Sequence, residues 1–163
     1  MVRAILADLN DIYSARLLDL AADIPQSTPL ADPDASASAH SKLCGSTVRV
    51  EIKVEDGKIT DFGQGVKACL LGQASAAIVG REIVGTRFDE FKDVTSQMRG
   101  MLKGNGAPPA GRWADLALLE PVRDYKARHA STLLIFDAVE RAIEQIELNN
   151  ETDQPILSTA TAS

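Results

Sequence analysis

The chain is poor in the residues on which metal, redox and nucleic-acid chemistry usually rest. It has two cysteines, two histidines and one tryptophan in 163 residues, and aromatics make up 4%. Two cysteines cannot build a multiply cross-linked scaffold, and a domain of this length buries about two thirds of its unfolded surface without disulfides. No apolar run reaches the roughly 18 to 20 residues that cross a bilayer, so neither a spanning helix nor a membrane partner is expected. Residues 1–20 contain Asp8, Asp11 and Asp19 and lack the basic start, apolar middle and small-residue cleavage site of a secretory signal. A cytoplasmic location is expected. Basic residues are outnumbered, 17 against 23 acidic for a net charge of −6, and no Lys/Arg stripe interleaves with aromatics, so nucleic acid lacks its electrostatic footprint. There is no Walker-type Gly-Lys-Ser/Thr loop. Gly63-Gln64-Gly65 lacks the third glycine of a dinucleotide fingerprint.

The pattern that is present predicts a single domain over 1–148 of class α+β: a small antiparallel sheet of about three strands with several helices packed on it. Asn10 to Ala22 reads as a helix with Ile12, Leu17, Leu18 and Leu20 near one face. Residues 24–42 hold Pro25, Pro29, Pro33 and a Ser/Ala-rich run, and read as an extended loop. Thr47 to Val54 alternates strictly, with Val48, Val50, Ile52 and Val54 on one face. Asp56-Gly57 then supplies a tight hairpin turn, and Ile59, Phe62 and Val66 continue the apolar thread. A small-residue helix begins at Cys69. Thr86 is placed to cap the next helix, whose seam Phe88, Phe91, Val94, Met98 and Leu102 stops at Gly104-Asn105-Gly106. A short segment from Trp113 to Leu119 precedes Pro121, and Leu133, Phe136, Val139, Ile143 and Ile146 form the seam of a last helix. Residues 149–163 are polar and aperiodic, and are expected to form a disordered tail.

Cys44 and Cys69 lie 25 residues apart, either side of the two strands. Gly45 permits an unusual backbone angle beside Cys44. Cys69 falls at a helix N-terminus, which favours a nearby anion, and the thiolate is the form that binds metal or attacks sulfur. In a reducing compartment free thiols favour metal or sulfur chemistry over a disulfide, with two inert buried thiols as the alternative. Two thiolates do not close a tetrahedral site, and the spacing is not that of a zinc ribbon. His40, four residues before Cys44, and His129 complete the candidate soft ligands. A Cys/His hydrolase would need an oriented base and an oxyanion hole beyond Cys69 and His129. No catalytic residue is assigned and the protein is read as a non-enzyme.

Cys44-Gly45, the following strand, Asp56-Gly57-Lys58-Ile59 and Ala68-Cys69 leading into Gln73-Ala74-Ser75-Ala76 resemble the NifU N-terminal, IscU and SufU scaffold family. The resemblance runs from Asp11-Ile12-Tyr13 to Glu120-Pro121-Val122-Arg123, Arg128 and the last helix, about residues 8 to 147. It implies a SufE/NifU-like fold and a nascent iron–sulfur cluster, or iron or zinc in its place, held by three cysteines and an aspartate. It also implies a cysteine desulfurase as partner and delivery to recipient apo-proteins.

Carried over by position, Cys44 and Cys69 match the first two cysteine ligands. The family's aspartate position is Ser46 here, and its third cysteine, reached from Arg128, is Ser131. A hydroxyl is a poor ligand for iron or zinc. The histidines flank both altered positions, so a Cys44, Cys69, His40, His129 site is expected. The alternatives are a persulfide acceptor needing one thiol, or a zinc-bound or degenerate interaction partner in the same pathway.

Overall fold

The computed structural model describes residues 14–42 and 45–162, with only the backbone given for 151–162. Asn10 to Tyr13 and Cys44 therefore lie outside the described residues. Helix α1 spans Ala15–Ala22. Ser14 is extended and its hydroxyl accepts from the Leu17 N–H, so the helix begins at Ala15 rather than passing through from Asn10. Leu17 and Ala21, one turn apart, face the core, while Leu18 points outward.

The sheet is a meander in the order β1-β2-β3, formed by Ala35–His40, Thr47–Glu55 and Lys58–Lys67, antiparallel throughout. Strand β1 lies inside the segment read as a loop. Its inward residues are alanines, so the alternation that marks a strand is nearly invisible in its sequence. It is specified instead by pairing, with Ala35, Ala37 and Ala39 opposite Ile52, Val50 and Val48. Its outer edge is covered by the last helix: Arg141 donates to the Ser38 carbonyl, and the Gln145 amide bonds both the carbonyl and the N–H of Ser36. Asp56 and Gly57 both have positive φ, as the two-residue turn between β2 and β3 requires. Beyond the turn, buried Ile59 and Phe62 have opposite parity. The register accommodates this by opposing Val54 to Ile59 and Lys53 to Asp61, with an irregularity that restores the inward face.

Helix α2 runs Leu70–Glu82 and α3 Phe88–Gly104, the latter ended by Asn105 in the left-handed conformation. Thr86 does not cap α3. Its carbonyl accepts from Ile59 N–H and its hydroxyl serves Glu82 and Arg112, while the first α3 N–H, from Phe88, is met by the Gly57 carbonyl. A 3-10 segment, Gly111–Asp124, replaces the short element expected at Trp113 to Leu119. Helix α4 spans His129–Ala162, passing beyond Leu148 into the stretch read as a tail. Extending an already nucleated helix adds a hydrogen bond per residue without a new nucleation cost. The expected seams of α3 and α4 are buried, and Phe91 joins them, stacked on Phe136 and edge-on to Trp113.

Asp115 ties the 3-10 segment to α1 and α2 through Arg16 at 3.2 Å and Arg81 at 2.6 Å. The Arg81 hydrogen bond, more than Arg16, holds its carboxyl below the ordinary value. A carboxylate depressed in the folded state adds stability above its unfolded pKa of about 4, and loses it as pH falls through the lower folded value. These partners are more than a third exposed, so the contribution is small. Asp115→Asn is expected to cost less than about 1 kcal/mol at neutral pH, with the difference from the parent shrinking as pH falls below about 4 in denaturant titrations.

Candidate metal and sulfur site

Three separate elements meet at Cys69. The first is the β1–β2 connection, where Ser41 N–H donates to the Ser46 carbonyl at 2.8 Å and Gly45 N–H to the Ser41 carbonyl at 2.9 Å. Gly45 takes a φ of +70° with no atom near its missing side chain, as expected of a loop that glycine alone closes without strain. Cys44 belongs to this connection, outside the described residues, and both ends of the connection are held by these bonds. The second element is α2, for which Cys69 is the N-cap residue. The third is the first turn of α4.

The contacts are specific. The buried Ser46 hydroxyl accepts the Cys69 backbone N–H at 3.3 Å, so the position where the family would carry a carboxylate secures the start of α2. The Cys69 thiol lies 3.3 Å from the Ser131 hydroxyl, which in turn donates to the Arg128 carbonyl at 3.2 Å. Thr132 Oγ1 donates to that same carbonyl at 2.8 Å. The result is a relay: thiol to hydroxyl to carbonyl, with the carbonyl independently satisfied. Arg128 contributes through its backbone, its side chain being exposed.

Close backbone approach makes the meeting possible. A Cβ on Gly72 would lie 3.0 Å from the Ser131 carbonyl oxygen and 2.8 Å from the Ala68 Cβ. One turn on, the buried Ser75 hydroxyl donates to the Thr132 carbonyl at 2.6 Å. The sequence reading credited this stretch with small-residue packing, and did not single out Gly72, Ser75 or Thr132 as supports of the site. Only a partner helix can reveal which small residue makes the contact.

The histidines are placed differently. His40 is exposed at the end of β1, its Nδ1 3.1 Å from Thr47 Oγ1 across the ladder. His129 is buried and its Nε2 is bound to the Val122 and Arg123 carbonyls at 3.1 and 3.0 Å, fastening the 3-10 segment to α4. Among the described residues, no three His, Cys, Asp or Glu side chains are grouped to hold an ion, so His40, His129 and Cys69 do not converge. Ser46 and Ser131, the substituted positions, are the side chains that do reach Cys69.

Residues 12–132 match the family model described as NifU-like N terminal domain. The chain belongs to this family. Consistent with the family, a crystal structure of a nitrogen-fixing NifU-like protein (N-terminal) from Brucella abortus is 54% identical, covering 86% of this chain and 97% of that one with a TM-score of 0.85. A putative iron-sulfur cluster assembly scaffold protein for the SUF system from Fervidobacterium islandicum shares the fold, with a TM-score of 0.76 at 19% identity over 82% of this chain and 98% of that one. The iron-sulfur cluster assembly scaffold protein IscU of Thermotoga maritima is 25% identical over 83% of this chain and 94% of its own length. The expected α+β class and the family resemblance both hold. Among the described residues no helix is long and apolar enough to cross a membrane.

Gly72→Ala is expected to be destabilising by about 1 to 2 kcal/mol, because overpacking against a backbone carbonyl outweighs the helix-propensity gain of about 1 kcal/mol. The denaturation midpoint measures this; a midpoint at or above that of the parent would show that α2 and α4 part without cost.

Proposed function

We propose that the protein is an iron–sulfur cluster assembly scaffold that carries iron or a nascent cluster as cargo on the Cys44 and Cys69 thiolates. A cysteine desulfurase supplies the sulfur, and recipient apo-proteins take the cargo. The observation that supports this most is the convergence of Ser46, Cys69 and Ser131, from three elements, at one point beside the connection that carries Cys44. These are the positions at which family members bring their ligands together, and family membership supports the general role. The protein acts as a carrier, with no bond of its own to make or break in a substrate.

Hydroxyls do not replace a thiolate or carboxylate on iron. Two thiolates therefore anchor the cargo, leaving positions open for the His40 imidazole and for exchange with donor and recipient. Ser131 serves as a hydrogen-bond donor to sulfur. When Cys69 is deprotonated, its hydroxyl turns from the Arg128 carbonyl to the thiolate, and Thr132 keeps that carbonyl satisfied. His40, exposed at the mouth of the same connection, is the imidazole available to the cargo. His129 is committed to the backbone. Zinc would use the same two thiolates.

Anaerobic reconstitution with iron and sulfide tests the proposal, reading bound iron and the visible spectrum. The parent is expected to gain a chromophore, Cys44→Ser and Cys69→Ser to lose about tenfold or more in retained iron, and Ser131→Cys to retain more than the parent. Uptake of neither iron nor sulfide by the parent overturns the reading in favour of sulfur acceptance. In that case a single thiolate takes the outer sulfur of a desulfurase persulfide and the desulfurase leaves as thiolate.

The two histidines should separate in the same experiment. His129→Ala is expected to keep its iron while losing about 1 to 3 kcal/mol of stability, since it leaves two carbonyls without their donor. His40→Ala is expected to lose iron with stability unchanged. The reverse pattern would make His129 the ligand.

A further inference from the structure

Apart from the Cys69 cluster, the feature with the clearest chemistry is a cavity of about 470 Å³ between the end of α3, residues 123–126 and the first turn of α4. Its charged lining consists of Lys103, Arg123, Lys126 and Asp124, and this concentration of cations occurs in a chain with a net charge of −6. Arg123 is already engaged, by Glu120 at 3.0 Å and by the Asn105 side-chain oxygen at 3.1 Å. Lys103 and Lys126 are exposed, and their ammonium groups have neither an ion pair nor a hydrogen bond among the described residues. His129 and Ala130 place the positive end of α4 in the wall.

We propose that this cavity binds a small polyanion, a molecule bearing two or more carboxylate or phosphate groups, with Lys103 and Lys126 each pairing one of them. Its volume is that of a small-molecule site. Lys103 and Lys126 come from different elements, so a ligand with two negative groups engages both ammonium groups at once where a monoanion meets one, and the Asp124 carboxylate in the same lining offsets part of the positive charge. Lysine is a point charge without the planar fork that distinguishes anion shapes, so charge count sets the ligand class. The occupant would lie against Ala130, the residue before Ser131.

Calorimetric titration of the iron-free full chain with citrate, and separately with pyrophosphate, tests this independently of any cluster chemistry. Saturable binding of at least one probe is expected. It should weaken about tenfold or more in Lys103→Ala/Lys126→Ala and stay unchanged in Lys58→Ala, a lysine on a different cavity. Binding of citrate alone assigns a carboxylate ligand, binding of pyrophosphate alone assigns a phosphate, and binding of both assigns charge as the criterion. Lack of saturable binding by either probe, or equal affinity in a double variant whose thermal melt matches the parent, overturns the proposal.

Discussion

The backbone-to-backbone approach of α2 and α4 is the constraint on which the site depends. Gly72 leaves no side chain between its helix and the Ser131 carbonyl, and Ser75 hydrogen-bonds the next carbonyl in the α4 turn. A larger residue at position 72 would move the start of α4 outward and carry Ser131 away from Cys69. The same small-residue surface lets α2 be buried nearly all round, between α1, β3 and α4. Near its far end Gly80 makes a similar close approach, to the Gln64 side chain and the Pro25 carbonyl.

That approach gives the cysteine an unusual neighbour. Where the family resemblance calls for a third soft ligand, this chain presents a hydroxyl whose proton can follow the charge on sulfur without stranding a buried carbonyl, because Thr132 shares the acceptor. A hydrogen-bonded thiol with few protein ligands holds an ion less firmly than a complete tetrahedral set. The cation-lined cavity opens beside the same turn of α4, which therefore carries Ser131 toward Cys69 and His129 and Ala130 toward the cavity.

The legible parts of the fold were those whose signal is local and periodic. Val48, Val50 and Ile52 announced β2, Asp56-Gly57 announced the turn, and the apolar seams of α3 and α4 are buried as their spacing implies. Strand β1 was not legible, because alanine and serine carry little strand preference and its edge is completed by Arg141 and Gln145, more than a hundred residues away. Thr86 looked like a cap on sequence grounds, but a hairpin carbonyl from Gly57 reaches the helix first. For the site, Cys69, Ser46 and Ser131 could be named from their positions. Their contacts could not, nor could the burial of His129 against carbonyls of the 3-10 segment.

Sequence by itself determined the α+β class, the two-stranded core of the sheet, the helix that starts at Cys69 and the family. Each of these is written in periodicity, turn residues or short motifs that act within a few positions of themselves. Tertiary structure alone decided which hydroxyl meets the thiol, that His129 is held by the Val122 and Arg123 carbonyls, and that two lysines face one cavity. Those outcomes depend on how closely helices pack and on which polar groups the backbone claims first, and packing distance has no local signature in the chain.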